Sequence, residues 1–169
     1  MTAPSLWALS LVYWLHMLAT IVWIGSLAGL TVLFIPAARE TLDPKTYAKI
    51  LASIQRRLDP LGWISLLVLV GTGMFQMSAN PNYQGLLAFN NNWAVAILLK
   101  HIVFAVMIGI SAYLTWGLLP KLGRAALRQA QGQGASEGER LLQQDTFFLR
   151  LNLILGVVVL ALTALARAS

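Results

Sequence analysis

The stretch Leu6–Ile35 reads LWALSLVYWLHMLATIVWIGSLAGLTVLFI and contains no Asp, Glu, Lys or Arg. A helix that crosses the hydrocarbon of a bilayer needs about 20 predominantly apolar residues. Three further apolar stretches follow at 61–77, 93–119 and 148–166. The sequence therefore predicts one all-α membrane domain over residues 1–169, built as an integral membrane four-helix up-down bundle.

The composition excludes a water-soluble protein. Hydrophobic residues make up 58% of the chain and charged residues 11%, whereas soluble domains carry about 25% charged residues. The chain has no cysteine. Disulfides, zinc fingers, iron–sulfur clusters and thiolate haem ligands are therefore excluded as well.

The basic residues predict how the bundle is oriented. Ten of the twelve Lys and Arg residues lie in or beside the connections between the first and second and between the third and fourth apolar stretches. The connection 78–92 has none. By the positive-inside rule, both basic loops face the cytoplasm of a bacterial inner membrane and both termini lie on the outer, periplasmic side. The net charge of +6 is then a topology signal, and no nucleic-acid binding is expected.

The cytoplasmic loops carry local structure of their own. Asp43-Pro44 is typical of an N-cap followed by a proline in the first helical turn. Apolar residues then recur on one helical stripe, which predicts a cytoplasmic amphipathic helix at 44–58 on the membrane surface. We expect Pro60 to end this helix and to begin the second spanning helix. The polar run 129–139, QAQGQGASEGE, predicts a flexible linker.

Three ionisable side chains interrupt the apolar stretches, and such residues are candidates for function because a bilayer penalises them. They are His16, Lys100 and His101, and the chain has no other histidine. At a rise of about 1.5 Å per residue, the two histidines lie roughly 12–15 Å below the outer boundary. We expect them to point into one central cavity between helices one and three.

Polar residues on the other two helices are predicted to face the same cavity. Thr72 and Gln76 share a stripe on the second helix, and Thr163 and Arg167 share one on the fourth. Aromatic side chains near His16 complete the candidate site, and these are Tyr13 and Trp23.

Two neutral imidazoles beside cations suit haem b, with the iron held axially by His16 and His101 and the propionates held by cations and amides. Cuprous copper is the alternative, with thioether ligands from Met17, Met74 or Met107. A third possibility is a proton-coupled site in which Lys100 acts as the acid–base group. Structural roles also remain open: an intramembrane histidine can join two helices, and Lys100 can extend to the interface.

Several short motifs resemble those of a known family. The stretch Trp14–Gly25 (WLHMLATIVWIG) is similar to the first helix of CopD copper-resistance membrane proteins and of HemJ-type protoporphyrinogen oxidases. Leu67–Met77 (LVLVGTGMFQM) resembles the second helix of CopD-like proteins, and Leu99–Leu119 resembles their third. The resemblance implies copper import in the first case. In the second it implies a haem-associated oxidase, with His16 and Lys100 in essential roles.

Three functions follow as hypotheses. The first is a haem b-binding membrane protein for electron transfer or oxidase support. The second is a copper-handling membrane protein. The third is an accessory subunit of a larger membrane complex without chemistry of its own. The partners expected are the lipid bilayer, a membrane redox partner or larger complex, and a second copy of the chain.

Overall fold

The structure, a computed structural model, describes residues 5–81, 83, 85, 92–130 and 135–168. All but a few of these residues are helical, and they form four helices, each long and apolar enough to cross a membrane. The predicted all-α bundle is thereby confirmed. We label the helices α1 (Leu6–Thr41), α2 (Pro44–Ser78), α3 (residues 92–130) and α4 (Ala135–Ala168).

Consecutive helices run in opposite directions, so the bundle has two distinct ends. The side chains of His16 on α1 and Thr72 on α2 meet at one end. Arg39 on α1 donates to Thr146 on α4 at the other end, at 3.0 Å. We call the first the terminal end, because α1 begins and α4 finishes there. We call the second the basic end, because most Lys and Arg residues lie there.

The short turn between α1 and α2 is fixed by local capping. Asp43 precedes α2 in an extended conformation and accepts hydrogen bonds from the backbone N–H groups of Lys45 and Thr46, both at 3.1 Å. Pro44 takes the first helical position, where a missing N–H costs nothing. The predicted N-cap at Asp43 is therefore confirmed.

The prediction that Pro60 ends a helix is wrong. The helix α2 runs from Pro44 to Ser78 with Pro60 inside it. Its ring removes one hydrogen bond, the one that its N–H would donate to the carbonyl of Arg56, and the rest of the helix continues. Neighbouring helices hold the segment in place, since Tyr47 and Leu51 on the apolar stripe are buried in the core. The stripe at 44–58 therefore packs against protein.

The linker predicted at 129–139 is shorter than expected. Gln129 and Ala130 belong to α3, and residues 135–139 belong to α4. Residues 131–134 lie outside the described part of the chain, as do Asn82 and residues 86–91 of the connection at the terminal end. Leu141 and Leu142, near the beginning of α4, pack against the core. This packing stabilises the helix in a segment whose sequence is mostly polar.

Two helices contain a wider helical turn. Gly29–Phe34 in α1 and Tyr113–Leu118 in α3 are π-helical, and each continues directly into α-helix on both sides. A π-helical segment shifts the register of the side chains that follow it, and such segments frequently lie at functional sites. Both segments lie in the basic-end half of the bundle.

The middle of the bundle is filled by apolar side chains that cross between diagonal helices. The rings of Trp23 on α1 and Phe104 on α3 make an edge-to-face contact with centroids 5.6 Å apart. Met107 is fully buried beside them, and its Cε atom lies close to Gly156 of α4. We call Trp23, Phe104 and Met107 the central plug. Around it, large apolar side chains point outward, as lipid-facing residues do.

Candidate functional site

Polar side chains from all four helices meet above the central plug, at the terminal end. The Nδ1 atom of His16 lies 2.7 Å from the Oγ1 atom of Thr72. One turn further along α2, Gln76 reaches the backbone carbonyl of Val12 at 3.5 Å. The charges of Lys100 and Arg167 both act on the His16 ring. We call this group the terminal cluster, and its members are His16, Thr72, Gln76, Lys100 and Arg167.

The hydrogen bonds around His16 determine which ring nitrogen carries the proton. The hydroxyl of Thr72 donates its single proton to the backbone carbonyl of Val68, one turn earlier in α2. Its oxygen can therefore only accept from His16, so Nδ1 of His16 is the donor. In a neutral ring the lone pair then belongs to Nε2, the atom left free to bind a metal. Gly73 lies against the Cε1 edge of the ring.

The terminal cluster carries two cations. Lys100 is half-buried on α3, and Arg167 lies near the end of α4. The guanidinium of Arg167 lies over the ring of Tyr13, 5.5 Å from its centroid, a distance at which the ring attracts the cation. Tyr13 therefore holds Arg167 in place.

The second histidine has an arrangement that parallels the first. The Nδ1 atom of His101 lies 2.7 Å from the backbone carbonyl of Ile97, on its own helix α3. A carbonyl has no proton to give, so Nδ1 of His101 is also the donor, and Nε2 carries the lone pair in the neutral ring. Metal-binding histidines almost always donate their other N–H to a carbonyl, a carboxylate or water.

Some residues proposed from sequence lie away from the terminal cluster, and one of them, Thr163, forms a hydrogen bond within its own helix. Trp23 is buried in the central plug, so it does not cover a ligand above it. Met107 fills the same plug. Met17 and Met74 are 57% and 56% exposed on the outside of the bundle, so neither thioether points into the core. Thr163 donates to the backbone carbonyl of Val159 on its own helix.

The chemistry available at the terminal cluster is that of imidazole and cations. Within the described residues, no group of three or more His, Asp or Glu side chains is placed to hold a metal ion, and the chain contains no cysteine. The terminal cluster contains one imidazole, that of His16, and the chain has one further histidine, His101.

Sequence reasoning missed a second polar region, below the central plug at the basic end. A cavity of about 90 Å³ lies there between α1, α2, α3 and α4. We call it the basic-end cavity. The polar side chains that line it include Gln55, Asp59, Ser111, Thr115 and Asn152. None of these five residues is among the candidate site residues proposed from sequence.

The family model "Copper resistance protein D" (CopD) matches residues 52–166, which is well over half of the chain. The chain therefore belongs to the copper resistance protein D family, and the predicted resemblance is confirmed. No curated protein and no solved structure matches the chain.

The family match covers one part of the terminal cluster. Its members Thr72, Gln76 and Lys100 lie inside residues 52–166, whereas His16 and Arg167 lie outside. The family match and the four helices that are long and apolar enough to cross a membrane together support a copper-resistance-related membrane protein.

Proposed function

We propose that this chain handles copper in the membrane, and that the terminal cluster receives a cuprous ion as cargo through Nε2 of His16. The observation that carries this proposal is the hydrogen bond from His16 Nδ1 to Thr72, at 2.7 Å. It fixes the tautomer in which Nε2 is free, and a hydroxyl whose own proton is already committed holds the ring in orientation.

His101 is the proposed second ligand. It follows Lys100 directly in α3, and the charge of Lys100 acts on His16. The Nδ1–H group of His101 donates to the carbonyl of Ile97, so the Nε2 atom of His101 is also free to bind a metal. Imidazole is a suitable ligand for copper, and membership of the copper resistance protein D family supports that choice of metal.

The two cations of the cluster agree with copper as cargo. Lys100 and Arg167 repel a bound cuprous ion, so they weaken its binding. An ion that is passed on must bind well enough to enter and weakly enough to leave. Two imidazole ligands opposed by two positive charges meet that requirement better than a closed site with three or four ligands.

The proposed orientation places the terminal cluster on the outer side of a bacterial inner membrane. The Lys and Arg residues of the basic end are exposed, and they include Arg39, Lys45, Lys121, Arg124 and Arg140. The positive-inside rule places this end in the cytoplasm. Copper would then reach His16 from the periplasmic side. A periplasm-active reporter fused after Ala168 should be active, and an inactive reporter would contradict this orientation.

Haem b is a second candidate, and the same two cations favour it. Lys100 and Arg167 lie in the terminal cluster without a carboxylate partner among the described residues, and cations so placed can hold two propionates. His16 and His101 would hold the iron, which would supply one-electron redox chemistry. The central plug limits how deep a porphyrin can lie.

Copper and haem are distinguished by measuring both on one preparation. Protein purified from cells given ample copper and ample haem precursor is examined by metal analysis and by absorption spectroscopy. Copper without a Soret band supports the proposal. A Soret band with split bands after reduction, without copper, supports the second candidate.

A further inference from the structure

The polar side chains on the walls of the basic-end cavity are bonded to one another. The indole N–H of Trp63 donates to Thr115 at 3.3 Å, and the Thr115 hydroxyl donates to Asp59 at 2.7 Å. Elsewhere on the wall, the side-chain amide of Asn152 donates to Ser111 at 2.9 Å. The polar groups are thereby paired along the walls, and the surface that the cavity offers to a ligand is mainly apolar.

The apolar lining fits a hydrocarbon. Leu30 of α1, Leu66 of α2 and Leu149 of α4 lie on the walls, and each is at most 5% exposed. An engineered apolar cavity of about 150 Å³ stays dry and binds benzene. The basic-end cavity has about 90 Å³, so it has room for a short stretch of hydrocarbon chain.

The cavity opens sideways, between α2 and α3. The lining residues from α1 and α4 are buried apart from Ser26, whereas most of those from α2 and α3 are partly exposed, including Asp59, Gly62 and Thr115. The helix α2 packs mainly against α1, and α3 mainly against α4. The backbones of α2 and α3 approach each other chiefly at the basic end, beside Leu119–Ala130. The opening therefore faces the surrounding lipid.

Two stacked aromatic rings lie beside this opening. Trp63 lines the cavity, and its ring stacks on that of Trp116 with centroids 4.9 Å apart. Trp116 is 68% exposed. Tryptophan is enriched where the hydrocarbon of a bilayer meets the headgroups. The opening therefore lies close to the headgroups of one leaflet, which is the cytoplasmic leaflet in the orientation proposed above.

An arginine lies between the opening and the basic end. At a rise of about 1.5 Å per residue, Arg56 is roughly 9 Å along α2 from Gly62. Its guanidinium reaches across to α3, where it lies 3.9 Å from the position that a β-carbon on Gly123 would take. Lys121 and Arg124 are exposed on the same part of α3. The described residues give Arg56 no carboxylate partner, so its charge is available to an anion.

We propose that the basic-end cavity binds one acyl chain of an anionic phospholipid, and that Arg56 holds the phosphate of the same lipid. The headgroup region of each leaflet is about 5–8 Å thick. A phosphate beside Arg56 therefore leaves the acyl chain at the level of Gly62, where it can enter between α2 and α3. Guanidinium is well suited to phosphate. The central plug separates this site from the terminal cluster, and the proposal does not rest on copper binding.

Photochemical labelling of the unaltered chain tests whether a lipid chain enters. The protein is placed in phosphatidylcholine vesicles with a small share of phosphatidylglycerol that carries a diazirine in the middle of one acyl chain. Peptide mass spectrometry then locates the labelled residues. We expect label on Leu30, Leu66 and Leu149 as well as on the outward-facing Leu67, which is 73% exposed. Label on Leu67 without label on the buried lining residues would overturn the proposal.

Two glycine substitutions test whether the cavity holds the chain. Gly62→Leu adds a side chain at the cavity, and its β-carbon meets Trp23 at an ordinary contact distance of 3.8 Å. Gly71→Leu adds the same side chain at an exposed position of α2 with nothing within 4 Å. Leucine favours a helix more than glycine does at both positions. Gly62→Leu should lose the label on Leu30 and Leu149, and Gly71→Leu should keep it. Retained label in Gly62→Leu would show that the chain binds elsewhere.

A second pair of variants tests the phosphate contact. One basic residue beside an anionic lipid is worth about fivefold in binding. Arg56→Gln should therefore lower the label on the buried lining residues about fivefold. Arg57→Gln changes the exposed neighbour and should leave the label nearly unchanged. An equal decrease in both variants, or none in Arg56→Gln, would contradict the role given to Arg56. Copper binding is measured separately, so either result leaves the proposed function untouched.

Discussion

Nδ1 of His16 and Oγ1 of Thr72 lie 2.7 Å apart, across the interface between α1 and α2. Because the Thr72 hydroxyl donates to Val68, the threonine acts as a fixed acceptor that selects one tautomer of the histidine. This relationship makes His16 a better candidate metal ligand than its position in an apolar helix alone suggests.

Thr72→Val should weaken copper binding while the protein stays folded. Valine keeps the shape of threonine and removes the acceptor, so the His16 ring loses the partner that orients it. Loss of such a supporting hydrogen bond typically costs about 10–100-fold in metal affinity. Competition with a cuprous chelator measures the change. Thr31→Val is the matched control, because its hydroxyl bonds only to the Leu27 carbonyl of its own helix, in the other half of the bundle. Equal affinities of the two variants would contradict the role given to Thr72.

Lys100→Met separates copper from haem. Two unit charges about 10 Å apart interact by roughly 1.5 kcal/mol at an effective dielectric constant of about 20. Removal of the lysine charge should therefore tighten cuprous binding by about tenfold. For haem the expectation is opposite, since loss of a propionate partner lowers affinity or shifts the reduction potential. A weaker copper affinity in this variant would contradict cargo binding at the terminal cluster.

Asp145→Leu should destabilise the chain by about 1–3 kcal/mol, because it leaves the buried amide of Gln55 without its acceptor. Asp145→Asn keeps an acceptor oxygen and should cost less. The free energy of unfolding, measured for both variants in the same detergent, checks this. If the leucine variant is as stable as the asparagine variant, the hydrogen bond between Gln55 and Asp145 contributes little.

Asp43 should make the stability of the chain depend on pH in acid. Hydrogen bonds from the Thr46 side chain and backbone, and from the Lys45 backbone, hold the pKa of Asp43 below its usual value. A carboxyl with a depressed folded pKa adds stability above its unfolded pKa and loses it as the pH falls through the folded pKa. We therefore expect the protein to lose this stability as the pH falls below about 4.

The asparagine variant isolates that contribution. Asp43→Asn keeps an N-cap acceptor and removes the titrating group. Its Tm should follow that of the unaltered protein near neutral pH and diverge from it in acid, where only the aspartate loses a contribution. Parallel curves down to pH 3 would show that the cap does not titrate in this range.

The four helices were predictable because each has a long apolar stretch, and the lengths needed to cross a membrane are well defined. Helix ends were less predictable. The continuation of α2 through Pro60 depends on Tyr47 and Leu51 packing against other helices, and no local pattern shows such packing. Likewise, no sequence pattern in Gly29–Phe34 or Tyr113–Leu118 predicts that these segments are π-helical.

The terminal cluster was partly predictable, since His16 and Lys100 are conspicuous in apolar surroundings. The sequence predicts that His16 and Thr72 face the same cavity. Only the structure shows that the two side chains form a hydrogen bond and which of them donates. The basic-end cavity was missed because Gln55, Asp59 and Asp145 lie among loop-like charged residues, where polar side chains are usually solvated. Their burial comes from the extensions of α2 and α4 beyond the apolar stretches.

The most direct test of copper binding at the terminal cluster is a titration of the purified protein with cuprous ion against a competing chelator, with an absorption spectrum of the same sample. The unaltered chain and Met17→Leu, which changes an exposed neighbour of His16, should each bind one cuprous ion and show no Soret band. His16→Ala should bind none with comparable affinity. Unchanged binding by His16→Ala, or a Soret band in protein that takes up no copper, would contradict the assignment.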